Sequence, residues 1–350
     1  MSGHIVTPTF LQDPSRRELG ETPLDFLHSV TGPVVIDVSG RDTSRTRVVS
    51  TLIHGNEPSG LFAAHRWLLE GITPVTNMRF IIASVEAALM EPLLTTRFLY
   101  GERDLNRCFG RIENAQHEGR DAQRALSIAE AIRAISPDCV VDLHNTSGSG
   151  PAFALATVNS QHNRSLASLF CRRLILTDLR LGSLMETDFG CPTITVECGG
   201  ADDAESHETA YLGIQELAQI DRFREGHHHT LVDVLRHPLR VEVEEQVSLS
   251  YHFERDPVAD ISLRADIEHC NTGITSAGTP LGWLNRGSLD QLKLVDEAGN
   301  HVVNRLLRVS GGQIFTVQDV RIFMATTRAD IAKSDCLFYV VPLDVIDGAA

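Results

Sequence analysis

Short apolar runs alternate with segments whose apolar positions recur every three or four residues across the first two-thirds of the chain. RTRVVSTLIHG, residues 45–55, predicts a buried strand, rich in β-branched residues and ended by glycine. The next segment, EPSGLFAAHRWLLEG, sets Leu61, Phe62, Ala63, Trp67 and Leu68 at helical spacing, with Gly71 as its stop. MRFIIASV predicts a second strand, and RDAQRALSIAEAIRAIS an amphipathic helix ended by Pro137. DCVVDLHN, RRLILTDL and PTITVECGG predict further strands. Such alternation implies an α/β layer fold on a mostly parallel central sheet flanked by helices.

The texture changes at GHHHTLVDVLRHP, residues 226–238. Beyond it, short alternating runs (LRVEVEEQVSLSYHF, PLGWLN, DQLKLVD, NHVVNRLLRV, CLFYVVP) are separated by AGT, EAGN and SGG turns, the pattern of a β-rich domain. The expected division is an α/β domain over 1–230 and a smaller β-rich domain over 231–350.

Composition narrows the class. With 350 residues and 42% hydrophobic content, the chain can bury the core of two domains. A formal net charge of −15 argues against a nucleic-acid partner, which calls for a basic surface. Seven scattered cysteines without a C-x-x-C pair suit reduced thiols. No signal-peptide core opens the chain, and no apolar run reaches the roughly 18 residues of a membrane span. A cytoplasmic enzyme without a membrane partner is expected, and the sequence leaves room for a homo-oligomer.

Four motifs carry chemistry. HGNEPSG places His54 and Glu57 in H-x-x-E spacing where a strand gives way to a helix, the edge at which open α/β sheets put their ligands. DCVVDLHNTSG puts His144 past another strand. A His, Glu, His set with a fourth position left to water is a known catalytic zinc arrangement. Taken singly, each histidine is better read as a satisfied polar group at a strand end, and it is the combination with the two motifs that follow that reverses this. RDLNRCFG concentrates Arg103, Asp104, Asn106 and Arg107 in one loop. There Arg107 could stabilise an oxyanion, and Asp104 or Asn106 could orient a metal-binding histidine. PTITVECGG sets Glu197 in an otherwise apolar strand, costly for a carboxylate unless it has a partner or a task such as general base.

HGNEPSG, DLNR, DLHNTSG and VECGG, in this order and spacing, resemble the aspartoacylase and succinylglutamate desuccinylase family, a branch of the zinc carboxypeptidase group. The resemblance covers residues ~45 to ~215 and extends loosely into ADIEHCNTGITSAGTPLGW. It implies a carboxypeptidase-like α/β domain with the smaller β-rich domain over the cleft. It also implies one zinc ion on His54, Glu57 and His144, with Glu197 as base and Arg107 polarising the carbonyl. Asn106 becomes a substrate contact and Asp104 the partner of His54. Arg97, in TTRF, and Arg103 compete for the role of gripping a substrate carboxylate, and Arg97 is preferred because an aromatic residue follows it as in the family pattern. Val85 and Glu86 stand where the family has an asparagine, and the second carboxylate-binding arginine has no counterpart nearer than Arg180. A doubly carboxylated substrate is therefore weakly supported.

Three histidines at 227–229 and His207 read better as solvated surface, and Asp142 either as a support for His144 or as a strand end. The leading expectation is a zinc-dependent hydrolase of the N-acyl amide of a small amino acid or amine. A metallocarboxypeptidase for short peptides is the alternative within the same chemistry. From another class comes a non-catalytic zinc- or ligand-binding protein.

Overall fold

The computed structural model describes residues 7–110, 119–178, 180–221, 232–296 and 299–343. The chain divides into two compact units, residues 1–145 with 152–234 and residues 146–151 with 235–350. The boundary expected at 230/231 and the histidines at 227–229 lie outside the described residues.

In the first unit, strands β1 (Thr9–Gln12), β2 (Val34–Val38), β3 (Asp42–Thr51), β4 (Thr76–Ile82), β5 (Cys139–Thr146), β6 (Phe153–Ala156), β7 (Arg173–Leu176) and β8 (Thr193–Gly200) join β9 (Asp233–Arg236) in a nine-stranded sheet. Its order is β1-β2-β4-β3-β5-β8-β6-β7-β9. The β1–β2, β3–β4, β3–β5 and β6–β7 pairings are parallel, while β2–β4 and β6–β8 are antiparallel, so the sheet is mixed. The helices are α1 (Arg16–Leu19), α2 (Pro23–Ser29), α3 (Ser59–Glu70), α4 (Val85–Ala88), α5 (Arg120–Arg133), α6 (Gln161–Ser168) and α7 (Ala204–Gln219).

The elements follow from their sequences. Helix α3 ends where Gly71 takes a left-handed conformation (φ 64°) and its N–H returns to Leu68 O, the geometry that favours glycine. The helix buries Leu61, Ala63, Ala64 and Trp67 in a core shared with Val49, Phe80, Val141 and Ile194. Every residue of β5 is buried, as a central strand covered on both faces requires. Arg47 is fully buried on β3, where its guanidinium donates to Leu217 O, Ile220 O and Asp221 O. It thereby satisfies the free carbonyls at the end of α7.

The second unit is β-rich. One four-stranded sheet has the order β14 (Leu292–Leu294), β10 (Leu239–Val243), β18 (Phe338–Pro342) and β17 (Val320–Phe323). A five-stranded sheet runs β11 (Leu249–His252), β12 (Ile261–Arg264), β13 (Pro280–Leu284), β16 (Gln313–Thr316) and β15 (Leu307–Ser310). Val241, Leu263, Leu281, Ile314 and Val340 build its core. The run NHVVNRLLRV is not one strand: a helical turn, α8 (Val303–Leu306), precedes β15, because Val303 and Leu306 fall three apart on one buried face. Helix α9 (Ala329–Ser334) precedes β18.

Candidate metal and catalytic site

The neighbours β3 and β5 run parallel with Thr51 opposite Leu143, so His54, just past β3, and His144, which lies within β5 rather than past it, emerge at one edge of the sheet. At the end of β3 the backbone turns sharply. Leu52 adopts a left-handed conformation (φ 54°), unusual for a branched residue and costing on the order of 1 kcal/mol. Its side chain is fully buried in the core, and Leu52 O and Ile53 O accept from Ser84 N (2.8 Å) and Ser84 Oγ (2.8 Å). Gly55 is required at the turn, since a Cβ there would lie 2.6 Å from Ala88 N and Thr96 O. The chain then presents His54 and Glu57 just ahead of α3.

His54, Glu57 and His144 are buried, and one ligand atom from each lies within 4.8 Å of the others. His54 Nδ1 is 2.8 Å from Glu57 Oε1, and His144 Nδ1 is 2.6 Å from Glu57 Oε2. The opposite ring nitrogens are held from behind: His54 Nε2 is 2.8 Å from Asp104 Oδ1, and His144 Nε2 is 2.7 Å from Asp142 Oδ2. A neutral imidazole that donates to an aspartate through Nε2 has only a lone pair left at Nδ1. Both Nδ1 atoms then aim lone pairs at a carboxylate, which only a cation or a proton can reconcile. His54 Nδ1 is buried without a hydrogen bond despite its short approach to Glu57. An N/O donor set with carboxylates behind the histidines suits a divalent ion such as zinc.

The electrostatics agree with that crowding. Burial raises the Glu57 carboxyl, but His54 and His144 outweigh it and hold the group well below its ordinary range. Burial also opposes protonation of His144, and Asp142 and Glu57 overcome it, lifting the imidazole well above its usual value. Asp104 pays the same burial cost, yet its bond to His54 and the charges of His54, Arg97 and Arg107 keep it strongly acidic.

Glu197 lies on β8, the sheet neighbour of β5. It is half-buried, and its Oε2 is enclosed without a hydrogen-bond partner. Burial, with the Glu57 charge adding to it, pushes its carboxyl up to about 7 against the pull of His144, His54 and Arg97. A carboxyl in that range exchanges protons readily near neutral pH.

The other expected residues fall in distinct places. Arg97 pairs with the carboxylates of the site: its Nη1 donates to Glu57 Oε1 (2.8 Å), and its Nε and Nη2 donate to Asp104 Oδ2 (3.2 and 3.1 Å). Asn106 is buried, with Oδ1 accepting from Leu184 N (3.0 Å). Arg107 Nη1 donates to Asn106 O (3.0 Å), and Arg103 Nε donates to Asp121 Oδ2 (2.8 Å). Arg103, Arg107 and Arg180 line one pocket together with Gly182 and Glu186. Glu86, in the place of the expected asparagine, binds Arg120 (2.7 Å) and Arg124 (2.9 Å) of α5 and so serves packing.

His207 stands in the first turn of α7, as a helix-start residue, but not as solvated surface. It is half-buried on α7, with Nδ1 2.7 Å from Ser59 Oγ and its ring edge-on to Phe62. Sequence reasoning also passed over Asn145, which is buried directly after His144 and hydrogen-bonded to Ser59 and Gly199. The available signal was an amide side chain in a buried strand next to a histidine, where it must find partners.

Comparison with known proteins adds to this geometry. Residues 44–213 match the family profile described as "Succinylglutamate desuccinylase/Aspartoacylase catalytic domain". No curated protein sequence matches the chain. Among solved structures, a succinylglutamatedesuccinylase/aspartoacylase from Rhodobacter sphaeroides is similar at 13% identity and TM-score 0.52, with 84% of each chain covered. A succinylglutamate desuccinylase from Vibrio parahaemolyticus is similar at 17% identity and TM-score 0.53, covering 86% of this chain and 96% of that one. Murine aminoacylase 3 gives 16% identity and TM-score 0.51, covering 87% and 96%. At these identities the structural likeness establishes the fold: a mixed α/β architecture with a large central sheet and β-rich C-terminal sheets.

Proposed function

We propose that the chain, whose residues 44–213 match the succinylglutamate desuccinylase/aspartoacylase catalytic-domain profile, is a zinc-dependent deacylase. Its reaction is hydrolysis of the N-acyl amide of a small amino acid or amine, releasing a carboxylate and a free amine. The observation that carries this is the convergence of His54 Nδ1, Glu57 and His144 Nδ1 beside a carboxyl, Glu197, whose enclosed oxygen has no partner. His54, Glu57 and His144 would hold the ion, in the manner of a zinc carboxypeptidase site. When bound, zinc supplies Lewis acidity, polarising the scissile carbonyl and acidifying the attacking water.

The chain's own residues do the rest. Glu197 takes the proton from water and returns it to the departing amine, a transfer suited to a carboxyl held near 7. Arg107 stabilises negative charge on the former carbonyl oxygen. Asp104 and Asp142 fix the orientation of the histidines, leaving each Nδ1 free to bind. Asn106, with Oδ1 committed to Leu184 N, keeps its amide N–H groups as donors for a substrate contact. Arg103 meets a substrate carboxylate at the pocket it shares with Arg107. Arg97, bound to both Glu57 and Asp104, acts chiefly to orient the metal-binding groups. All seven cysteines are unpaired, in keeping with a reducing, cytoplasmic setting.

The test is a hydrolysis panel with zinc supplied: acetyl, succinyl and longer N-acyl amino acids beside dipeptides. Turnover of acyl amino acids above dipeptides is expected. Preference for dipeptides would favour the carboxypeptidase reading, and stoichiometric zinc without any turnover would favour a binding protein.

A further inference from the structure

We infer that Asn145 is a positioning residue that joins the loop bearing His54 and Glu57 to the strand bearing Glu197, with His207 fixing its orientation through Ser59. This rests on the deacylase reading above.

Asn145 is 5% exposed and touches three chain segments at once. Its Oδ1 accepts from Ser59 N (3.0 Å), the first residue of α3 and two positions past Glu57. Its Nδ2 donates to Ser59 Oγ (2.8 Å) and to Gly199 O (2.8 Å), two positions past Glu197, with Gly200 O further off at 3.4 Å. Its backbone N–H donates to Glu57 Oε2 (3.3 Å), and its own strand carries His144. The amide therefore ties α3, β5 and β8 together at the edge where the candidate chemistry lies.

The orientation of that amide is determined by its neighbours. Ser59 Oγ already accepts from Asn145 Nδ2, so the single Ser59 proton goes to the other partner, His207 Nδ1 at 2.7 Å. This assigns the acceptor role to His207 Nδ1 and leaves the serine lone pairs facing Asn145. Without that acceptor, the serine hydroxyl is free to rotate and to compete with Asn145 for its partners. Glu197 is paired in the sheet with Phe153 of β6, and because Gly199 and Gly200 have no side chains, the Asn145 bonds to their carbonyls add a side-chain tie just past it at the end of β8.

Asn145→Asp keeps an acceptor for Ser59 N but sets a carboxylate oxygen against Gly199 O, breaking the tie to β8. A misplacement near 1 Å costs about 100-fold in rate. For the full-length zinc-loaded protein, kcat of N145D should fall about 10- to 100-fold, with KM and zinc affinity by chelator competition each changed less than about 10-fold. Because the effect acts through Glu197, N145D should cost less than about 3-fold more in a Glu197→Gln background. His207→Phe keeps the ring against Phe62 and removes only the acceptor. Its smaller kcat loss should likewise vanish beside E197Q, and it carries the test if N145D fails to fold. Equal losses in both backgrounds, or a loss confined to KM or to zinc affinity, would overturn the inference. Wild-type protein that binds zinc and hydrolyses no amide would instead remove the deacylase reading itself, whereas an active wild type with additive losses removes only the role of Asn145.

Discussion

Glu197 can be tested without knowing the substrate. Its carboxyl is pushed up to about 7 by burial, from an ordinary value of 4.5. The folded-state value exceeds the unfolded one, so an ionised Glu197 penalises the native state. The penalty is absent below about pH 4.5, grows as pH rises towards 7, and is constant above. That rise corresponds to about 3 kcal/mol at most. Glu197 is only half-buried, so solvent screening reduces the expected figure to about 1–2 kcal/mol. Glu197→Gln keeps the shape and removes the charge. The metal-free variant should therefore melt about 2–4 °C above wild type at pH 8, at roughly 2 °C per kcal/mol for a chain of this size, and level with it at pH 4.5. Thermal melts of both proteins across pH 4.5–8 read this directly. Zinc should narrow the gap, since a bound cation stabilises the carboxylate. The same variant should lose about 100- to 10,000-fold in turnover while still binding zinc. A gap in melting temperature that does not change with pH, or one of opposite sign, would refute the electrostatic assignment.

Asp104→Asn should weaken zinc binding about 10- to 100-fold in a chelator competition, because His54 loses the carboxylate behind it. The same Asp104 carboxyl is held far below its ordinary value, so its contribution to stability is present above about pH 4 and lost on acidification; the metal-free D104N melt should be less acid-sensitive than that of wild type. Arg107→Lys keeps the charge but not the planar fork and should lower kcat about 100-fold at nearly unchanged zinc content, measured on whichever amide the panel identifies. Gly60→Ala should destabilise the fold by about 1–3 kcal/mol in a denaturant melt, because a Cβ there would overlap the Thr51 side chain and lie 2.9 Å from Leu143 Cβ.

The parts of the fold legible in the sequence are those where the pattern is strong over many residues. The runs at β3, β4, β5 and β8 and the apolar stripe of α3 place those elements within a few residues of where they stand. The edge strands β1 and β9 and the interior β6, four residues each, carry too little periodicity to rise above their surroundings, whereas β7, equally short, stands out through the apolar run RRLILTDL. At the site, the motifs identify His54, Glu57, His144 and Glu197 by chemistry, and the sheet brings them to one edge. What they do not reveal is the direction of long side chains. Arg97 was expected at a substrate carboxylate, and it lies on Glu57 and Asp104, since a guanidinium near two buried carboxylates pairs with them. His207 and Asn145 were invisible as partners because 148 and 86 positions separate them from Ser59, and only the packing of α7 and β5 against α3 brings them together.

The proposed deacylase activity depends on His54, Glu57 and His144 holding one zinc ion. The direct measurement is amine release from an N-acyl amino acid as zinc is titrated into chelated wild-type protein, beside metal content per chain. Activity that is lost on chelation and returns in step with one zinc per chain, with His144→Ala showing neither, is the predicted result. Full activity in the chelated protein, or in H144A without bound metal, would contradict it.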